Sequence, residues 1–451
     1  MAIWNVTSAQ HLLSRCLFGY TSRDITLALS YTKNDYVNKV LLAPVTAPAP
    51  PGNWINEEPA LADSATRATR QKDLVNWWIQ LMLQDNSLQE KMVLFWHNHF
   101  VSEMIKVAHP QHMYWQNHLF RTHAFGNFRT LTKAVTTNAA MLIYLDGISN
   151  TKNKPNENYA RELLELFTLG IGNYTDTDVK EAARALTGWQ VDKLRPFLNP
   201  GKFDNTSKTF LGKTENYNHD TLIDAIFKSP KTAEHICTKL YKEFICSKTD
   251  APFIKQMATV LLDADYEIKP LLAFMLNSDH FYDTRFIGSK IKSPVDLLVG
   301  TLKAFEVSNP EYNYLADVLR LLQQNLFNPP NVRGWEGQRK WISSSTFPNR
   351  QALTDSYING KRLNGQSIKF QIDGLAYART YTSCNNAIVF VNEVSTQLVR
   401  YPLSANKKNL LLNILLEGTT PTEWSTNSPM AVTRLKNFFK ALMRLPEYQL
   451  C

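Results

Sequence analysis

Apolar residues recur at spacings of three and four from Ala9 to Leu326, and strand-like alternation of apolar and polar residues is nearly absent there. Such spacing is typical of amphipathic helices. A period of two appears only near the end of the chain, in SIKFQI (367–372) and AIVFVN (387–392). The pattern therefore predicts a mainly α fold, a large irregular helical bundle with a small β-hairpin-like element near residues 367–392.

Three segments interrupt the helical pattern. They are the proline-rich stretch 43–54, a stretch rich in Asn, Lys, Thr and Gly from about 192 to 218, and the Pro/Gly-rich stretch 328–341. No internal repeat with a solenoid period is present, so we expect one large helical domain over residues 1–451. Its expected sub-regions are motif-bearing helices (1–190), an irregular insertion (191–218) and a second helical block (219–327). The last sub-region (328–451) holds the stretch 328–341, here called the Pro/Gly-Trp loop, followed by the β element and closing helices.

The charge pattern and the N-terminal sequence argue against a nucleic-acid-binding, secreted or membrane-spanning protein. The formal net charge is +9, but the basic residues are interleaved with acids and never run longer than two, so no nucleic-acid partner is expected. The N-terminus lacks the features of a secretory signal, and no apolar stretch approaches the ~18 residues of a membrane span. The five cysteines show no paired spacing, which indicates a reduced compartment. We expect a chain without a membrane span that is cytoplasmic by default.

The stretch NENYARELLELFTLG, residues 156–170, places three glutamates and one arginine within nine positions of a predicted helix. At about 100° per residue, one arc of about 140° holds only polar residues, and apolar residues fill the rest. The polar arc contains Glu157, Asn158, Arg161, Glu162 and Glu165. Two interpretations remain open: a solvated ladder of ion pairs, or a wall of a cleft in which burial raises the pKa of one carboxyl toward that of a general acid.

Histidines form a second candidate cluster, because six of the ten lie between Phe95 and Phe125. His97 and His99 diverge by about 200° on a continuous helix and are not expected to bind one transition metal together. A composite site of either residue with the His109/His112 loop and a glutamate from 157–165 is the alternative to packed or hydrogen-bonded histidines. No cofactor is identifiable, and a divalent metal is an option that the spacing does not favour.

Trp189 and Trp335 each follow a glycine in a loop. A tryptophan in this position is either a hydrophobic plug or a stacking platform for a ring-shaped ligand. The chain lacks a G-x-S-x-G elbow, a phosphate-binding Walker loop and a dinucleotide glycine fingerprint, which argues against serine-hydrolase, P-loop and Rossmann classes.

Several motifs, in a fixed order over nearly the whole chain, resemble the bacterial domain-of-unknown-function family numbered 1800. They are HLLSRCLFGYTSRDI, EKMVLFWHNHF, GNFRTL, AMLIYLD, PNENYARELLELFTLG, YTDTDVKEAARALTGW, LFNPPNVRGW and LPEYQL. The resemblance implies a mainly helical protein, and a partner from a sulfatase-like family of unknown function numbered 1501. Phe167 stands where many members have a histidine, so the resemblance does not favour a histidine-rich metal site here.

Two hypotheses about function follow. In the first, the protein is an enzyme that acts on a polymer or envelope-related substrate by carboxylate acid/base chemistry, with Glu157 or Glu162 exchanging the proton and Arg161 as the electrostatic partner. Its binding surface would collect Asn156, Glu165, His97, His99, Trp189 and Trp335. In the second, it is a non-catalytic helical binding or scaffold protein that works with the sulfatase-like partner. The sequence alone does not decide whether the protein is an enzyme.

Overall fold

The structure is a computed structural model that describes residues 3–59 and 62–451. Over these residues the chain forms 22 α-helices, and the mainly α prediction is confirmed. The helices are α1 Val6–Cys16, α2 Ser22–Leu29, α3 Lys33–Tyr36, α4 Ser64–Gln84, α5 Gln89–His99, α6 Met104–Val107, α7 Pro110–Thr122, α8 Phe128–Thr136, α9 Ala139–Tyr144, α10 Asn158–Glu162, α11 Asp176–Ala185, α12 His219–Phe227, α13 Pro230–Phe244, α14 Ala251–Asp263, α15 Ile268–Asn277, α16 Pro294–Ala304, α17 Tyr312–Leu321, α18 Thr346–Asn359, α19 Gly374–Arg379, α20 Ala387–Leu398, α21 Ala405–Leu416 and α22 Ala431–Arg444.

The strands lie in two small antiparallel hairpins, which begin just before the segment predicted to be irregular and continue inside it. The first pairs β1 (Trp189–Asp192) with β2 (Arg195–Leu198), and the second pairs β3 (Lys208–Phe210) with β4 (Lys213–Glu215). The second hairpin turns at Leu211 and Gly212, both with positive φ, as a type I′ turn requires. Much of both hairpins is exposed, so neither needs the apolar alternation that identifies a half-buried strand.

The prediction of a β element near residues 367–392 is wrong, because the described strands lie between residues 189 and 215. Residues 387–392 begin α20, where Ala387, Phe390, Val391, Val394 and Leu398 are buried at helical spacing. The side chain of Asn386 caps this helix by accepting from the backbone of Val389. The six-residue window was too short to distinguish this spacing from period two. Residues 367–372 form no strand pair; the segment contributes one isolated bridge and packs Phe370 on Tyr357.

A connected set of buried apolar side chains runs from Ala9 to Tyr448 through the helices. Around it, α13 packs on α14 and on the π-helical segment Leu163–Thr168, which continues α10. Segment and helix together give a helical run from 158 to 168, within the stretch 156–170 for which a helix is predicted. Among the described helices, none combines the length and the apolar character needed to cross a membrane. All five cysteines are free thiols.

Candidate functional site

The helical run from 158 to 168 buries the face that the sequence predicts. Ala160, Leu163, Leu164 and Phe167 have no exposed surface. The run ends at Gly170, whose φ is +79° and whose added Cβ would lie 2.8 Å from Nδ1 of His235. A residue with a side chain would therefore be strained at this turn, and the helix end lies directly against α13.

The polar arc begins in solvent. Arg161 pairs with Glu157 at 3.0 Å and with Asp176 at 3.5 Å, and its side chain remains 41% exposed. Of the two interpretations of the arc, the solvated ladder holds at Arg161, which does not face the interior or a cleft. Before the helix, the side chain of Asn156 accepts from the backbone of Asn158 at 2.9 Å, so it shapes the turn.

Farther along the arc, the carboxyl groups are more enclosed. Glu165 accepts from Tyr174 at 3.2 Å and pairs with Arg333 at 3.3 Å. Burial and then the charge of Glu165 raise the pKa of Glu162, against the opposing charges of Arg333 and Arg161. Tyr144 donates to Glu103 at 2.6 Å, and its pKa is raised by burial, by this hydrogen bond and by the charges of Glu103 and Glu162.

The two histidines at the end of α5 point to different surroundings. His97 is buried among Trp78, Phe120, Phe327 and Trp335, and burial lowers its pKa to about 3. Between the two histidines, the side chain of Asn98 accepts from the backbone N–H of Trp335 at 2.7 Å and donates to its carbonyl at 3.2 Å. This double contact attaches the Pro/Gly-Trp loop to α5.

His99 contacts the other side of the helix end. Its Nε2–H donates to the carbonyl of Phe167 at 3.1 Å, because a carbonyl can only accept. Nδ1 of His99 therefore accepts from Nζ of Lys239, 3.2 Å away. Lys239 also donates to the carbonyl of Leu166 at 2.7 Å. Burial and then the charge of Lys242 lower the pKa of Lys239 to about 8. Burial and then the charge of Lys239 lower the pKa of His99 well below its usual value.

Lys239 and His99 line a cavity of about 490 Å³ between α5, α13 and the Pro/Gly-Trp loop, here called the Lys239 cavity. Trp335 and Trp341 form part of its wall. Its charged lining comprises five cations and three carboxylates, namely Lys91, Lys239, Lys242, Lys290, Arg333, Glu243, Asp296 and Glu336. The lining thus carries two more positive than negative charges.

The acids of the cavity already neutralise two of the lysines. Lys91 and Asp296 form a buried ion pair, and Lys290 pairs with Glu243 at 2.7 Å. Burial raises the pKa of Asp296, but the charges of Lys91 and Lys290 outweigh it and lower that pKa to about 2. Among the described ion pairs, none involves Lys239 or Lys242, so both face the cavity as unneutralised donors.

The structure therefore brings together only part of the predicted binding surface. His99 and Trp335 line the Lys239 cavity, and Glu165 reaches its edge through Arg333. Glu157, Arg161 and Glu162 are not among the lining side chains, and neither is Trp189. Trp189 lies on β1, where its ring packs edge-on against His219 with centroids 4.9 Å apart.

The sequence interpretation missed the residues of α13. At about 100° per residue, His235, Lys239, Lys242 and Glu243 occupy one arc of about 100° beside the buried face of that helix. The basic residues on this flank were the available signal, although Glu243, one turn from Lys239, pairs with Lys290 instead. Lys239 lies 140 positions from its partner His99, so the sequence alone could not connect them.

Within residues 3–59 and 62–451, no group of three or more His, Cys, Asp or Glu side chains could hold a metal ion. A family model described as "Protein of unknown function (DUF1800)" matches residues 11–450. No curated protein and no solved structure matches the chain.

Proposed function

The chain belongs to the DUF1800 family, and we propose that it binds an oxyanion, such as a sulfate, phosphate or carboxylate group, in the Lys239 cavity. The supporting observation is the pair of lysines on α13. Lys239 and Lys242 face the cavity without an acidic partner, whereas Lys91 and Lys290 are neutralised by Asp296 and Glu243.

Physical chemistry favours this ligand class. An amine held in a partly desolvated wall beside another cation is costly to keep charged, and a bound anion relieves that cost. Hydrogen bonds from a charged donor to an oxyanion are short and about twice as strong as neutral ones. Trp335 and Trp341 add apolar rings to the same wall, which suits a ligand that carries its anionic group on a ring or a carbon chain.

An acid/base enzyme is the second candidate, and the raised pKa of Glu162 favours it. Glu162 lies on the run that supplies the carbonyls for Lys239 and His99, and its pKa also responds to Arg333 at the cavity edge. In this version the polymer or envelope-related substrate places its anionic group in the cavity while Glu162 exchanges a proton outside it.

The scaffold alternative, with a sulfatase-like partner, draws support from the exposed Glu157–Arg161 pair, which leaves the arc open for docking.

Titration calorimetry with inorganic sulfate, inorganic phosphate and acetate tests the binding proposal, with chloride used to hold the ionic strength constant. We expect one anion site per chain and at least about tenfold weaker binding in Lys242→Met, since a charge-assisted hydrogen bond contributes about 1.5–3 kcal/mol. Lys242 is exposed, so its replacement leaves the core intact. Lys248→Met is the matched control, because Lys248 is exposed and outside the cavity lining. Equal affinities in parent and Lys242→Met would refute the proposal.

A further inference from the structure

The amine of Lys239 is held in place on the wall of the Lys239 cavity. Two acceptors fix it: the carbonyl of Leu166 at 2.7 Å and Nδ1 of His99 at 3.2 Å. The carbonyl of Leu166 also accepts from Nε2 of His235 at 2.9 Å, so its own position is fixed from α13. A four-carbon side chain that normally samples many rotamers is thereby restricted at its reactive end.

The orientation of His99 makes it an acceptor toward this amine. Because its Nε2–H donates to Phe167, the lone pair of Nδ1 is directed at Nζ of Lys239. His99 stays neutral, since burial and then the charge of Lys239 lower its pKa. Neither acceptor carries a negative charge, so neither stabilises the ammonium form as a carboxylate would.

We propose that Lys239 is a nucleophile that forms an imine with an aldehyde or ketone carrying an anionic group. The inference rests on the proposed function, because Lys242 and Arg333 would hold the anionic group while Nζ of Lys239 attacks the carbonyl carbon. Lysines that form imines are characteristically desolvated or placed beside another cation, and Lys239 satisfies both conditions.

The chemical step is balanced by the protein and the ligand alone. The lone pair of the neutral amine forms a C–N bond with the carbonyl carbon, the electrons of the C=O π bond move to oxygen, and one of the two amine protons is transferred to that oxygen. The resulting carbinolamine loses its hydroxyl group, which takes the second amine proton and leaves as water while C=N forms. One carbonyl and one amine thus yield one imine and one water, with no change of oxidation state.

A second lysine provides a control inside the same chain. Burial lowers the pKa of Lys292 to about 8 as well, but Lys292 lies over the ring of Tyr448 beside a separate cavity of only about 50 Å³. If basicity alone governed reactivity, the two lysines would react alike. If a cavity that admits the carbonyl compound is needed, only Lys239 reacts.

Reductive trapping of the full chain tests the proposal. Glyoxylate supplies an aldehyde with a carboxylate, acetaldehyde supplies an uncharged one, and cyanoborohydride donates the hydride that converts an imine into a stable secondary amine. Peptide mass mapping then locates the modified lysines. We expect at least about tenfold more glyoxylate adduct on Lys239 than on Lys292 or any exposed lysine, because its amine is both accessible and partly neutral near pH 7.5.

Two variants separate the nucleophile from the anion site. Lys239→Arg keeps the positive charge and the donors but cannot form an imine, so the selective adduct should disappear while folding, followed by far-UV circular dichroism, is retained. Lys242→Met should lower the glyoxylate adduct on Lys239 about tenfold, because a charge-assisted contact to the carboxylate is lost. The acetaldehyde adduct should fall much less, because acetaldehyde loses only the smaller effect of the Lys242 charge on the pKa of Lys239.

The outcomes distinguish this inference from the function on which it rests. If Lys239 is modified no more than Lys292 while sulfate still binds, the imine proposal is wrong, anion binding stands, and Lys239 only caps the helix that ends at Gly170. If selectivity and sulfate binding are both absent, both proposals are wrong. If glyoxylate and acetaldehyde modify Lys239 equally, the assigned anionic substrate class is wrong.

Discussion

Replacing Asp296 with asparagine tests the electrostatic description of the Lys239 cavity. Asp296 and Lys91 form an ion pair whose side chains are only 9% and 6% exposed. Ser293 also donates to Asp296 through its backbone N–H at 3.0 Å and through its hydroxyl at 2.9 Å. Asp296→Asn leaves Lys91 buried without a counter-charge, so we expect a loss of about 3–5 kcal/mol of unfolding free energy near neutral pH.

The pKa of Asp296 gives the pH dependence of that loss. The pKa falls from its ordinary 3.8 to about 2 in the folded protein. The carboxylate therefore contributes about 2 kcal/mol of stability that is present above pH ~4 and is lost as the pH falls through ~2. The difference between parent and variant should accordingly be largest near pH 6 and smaller by about 2 kcal/mol near pH 2.

Urea unfolding, followed by tryptophan fluorescence at about pH 6 and about pH 2, measures both quantities. Asp317→Asn is the matched control, because its pair with Arg320 is exposed on both sides and should change stability by less than about 1 kcal/mol. Adding Lys91→Met to Asp296→Asn removes the unpaired charge and should recover most of the loss. A loss below about 1 kcal/mol at pH 6, or an equal loss at both pH values, would refute the description of this ion pair.

Three further predictions concern the elements around the cavity. Leu163→Ala should lower the unfolding free energy by about 2–4 kcal/mol, because Leu163 is fully buried. Leu166→Ala should lower it less, because Leu166 is half-buried. Urea titrations in which Leu166→Ala is the more destabilising of the two would contradict the assigned buried face. Arg161→Ala should cost at most about 1 kcal/mol because its pair is exposed, and a larger drop in the urea midpoint would show that Arg161 is part of the packed structure. Gly334→Ala should lower the unfolding free energy by about 1–3 kcal/mol, because Gly334 has φ +77° and an added Cβ would lie 2.2 Å from Oδ1 of Asn98. An unchanged melting temperature would show that the Pro/Gly-Trp loop can separate from α5.

Local patterns were sufficient for much of the fold. The apolar arc of 157–167 predicted which side chains are buried, because helical geometry alone decides which residues share a face. Thr175 and Asp178 have the three-residue spacing of a capping box, and the reciprocal capping box is present at the start of α11. Where the pattern was short, it misled: AIVFVN has too few residues to separate period two from the spacing of α20.

The candidate site depended on contacts between distant parts of the chain. Asn98 and Trp335 are 237 positions apart, and His99 and Lys239 are 140 positions apart, yet these pairs form the wall of the Lys239 cavity. A polar arc on a helix has the same sequence pattern whether it faces water or a neighbouring helix. Local spacing therefore could not show that Arg161 is exposed to solvent whereas Lys239 lines a cavity.

Periodicity in the sequence thus determined where helices form and which of their faces are apolar, because those properties depend on residues within a few turns of each other. The packing of α13 and the Pro/Gly-Trp loop around α5 decided which charges are neutralised and which face a cavity. Desolvation and Coulomb interactions depend on distances in space, and only the tertiary structure sets those distances between Lys239, His99 and Lys242.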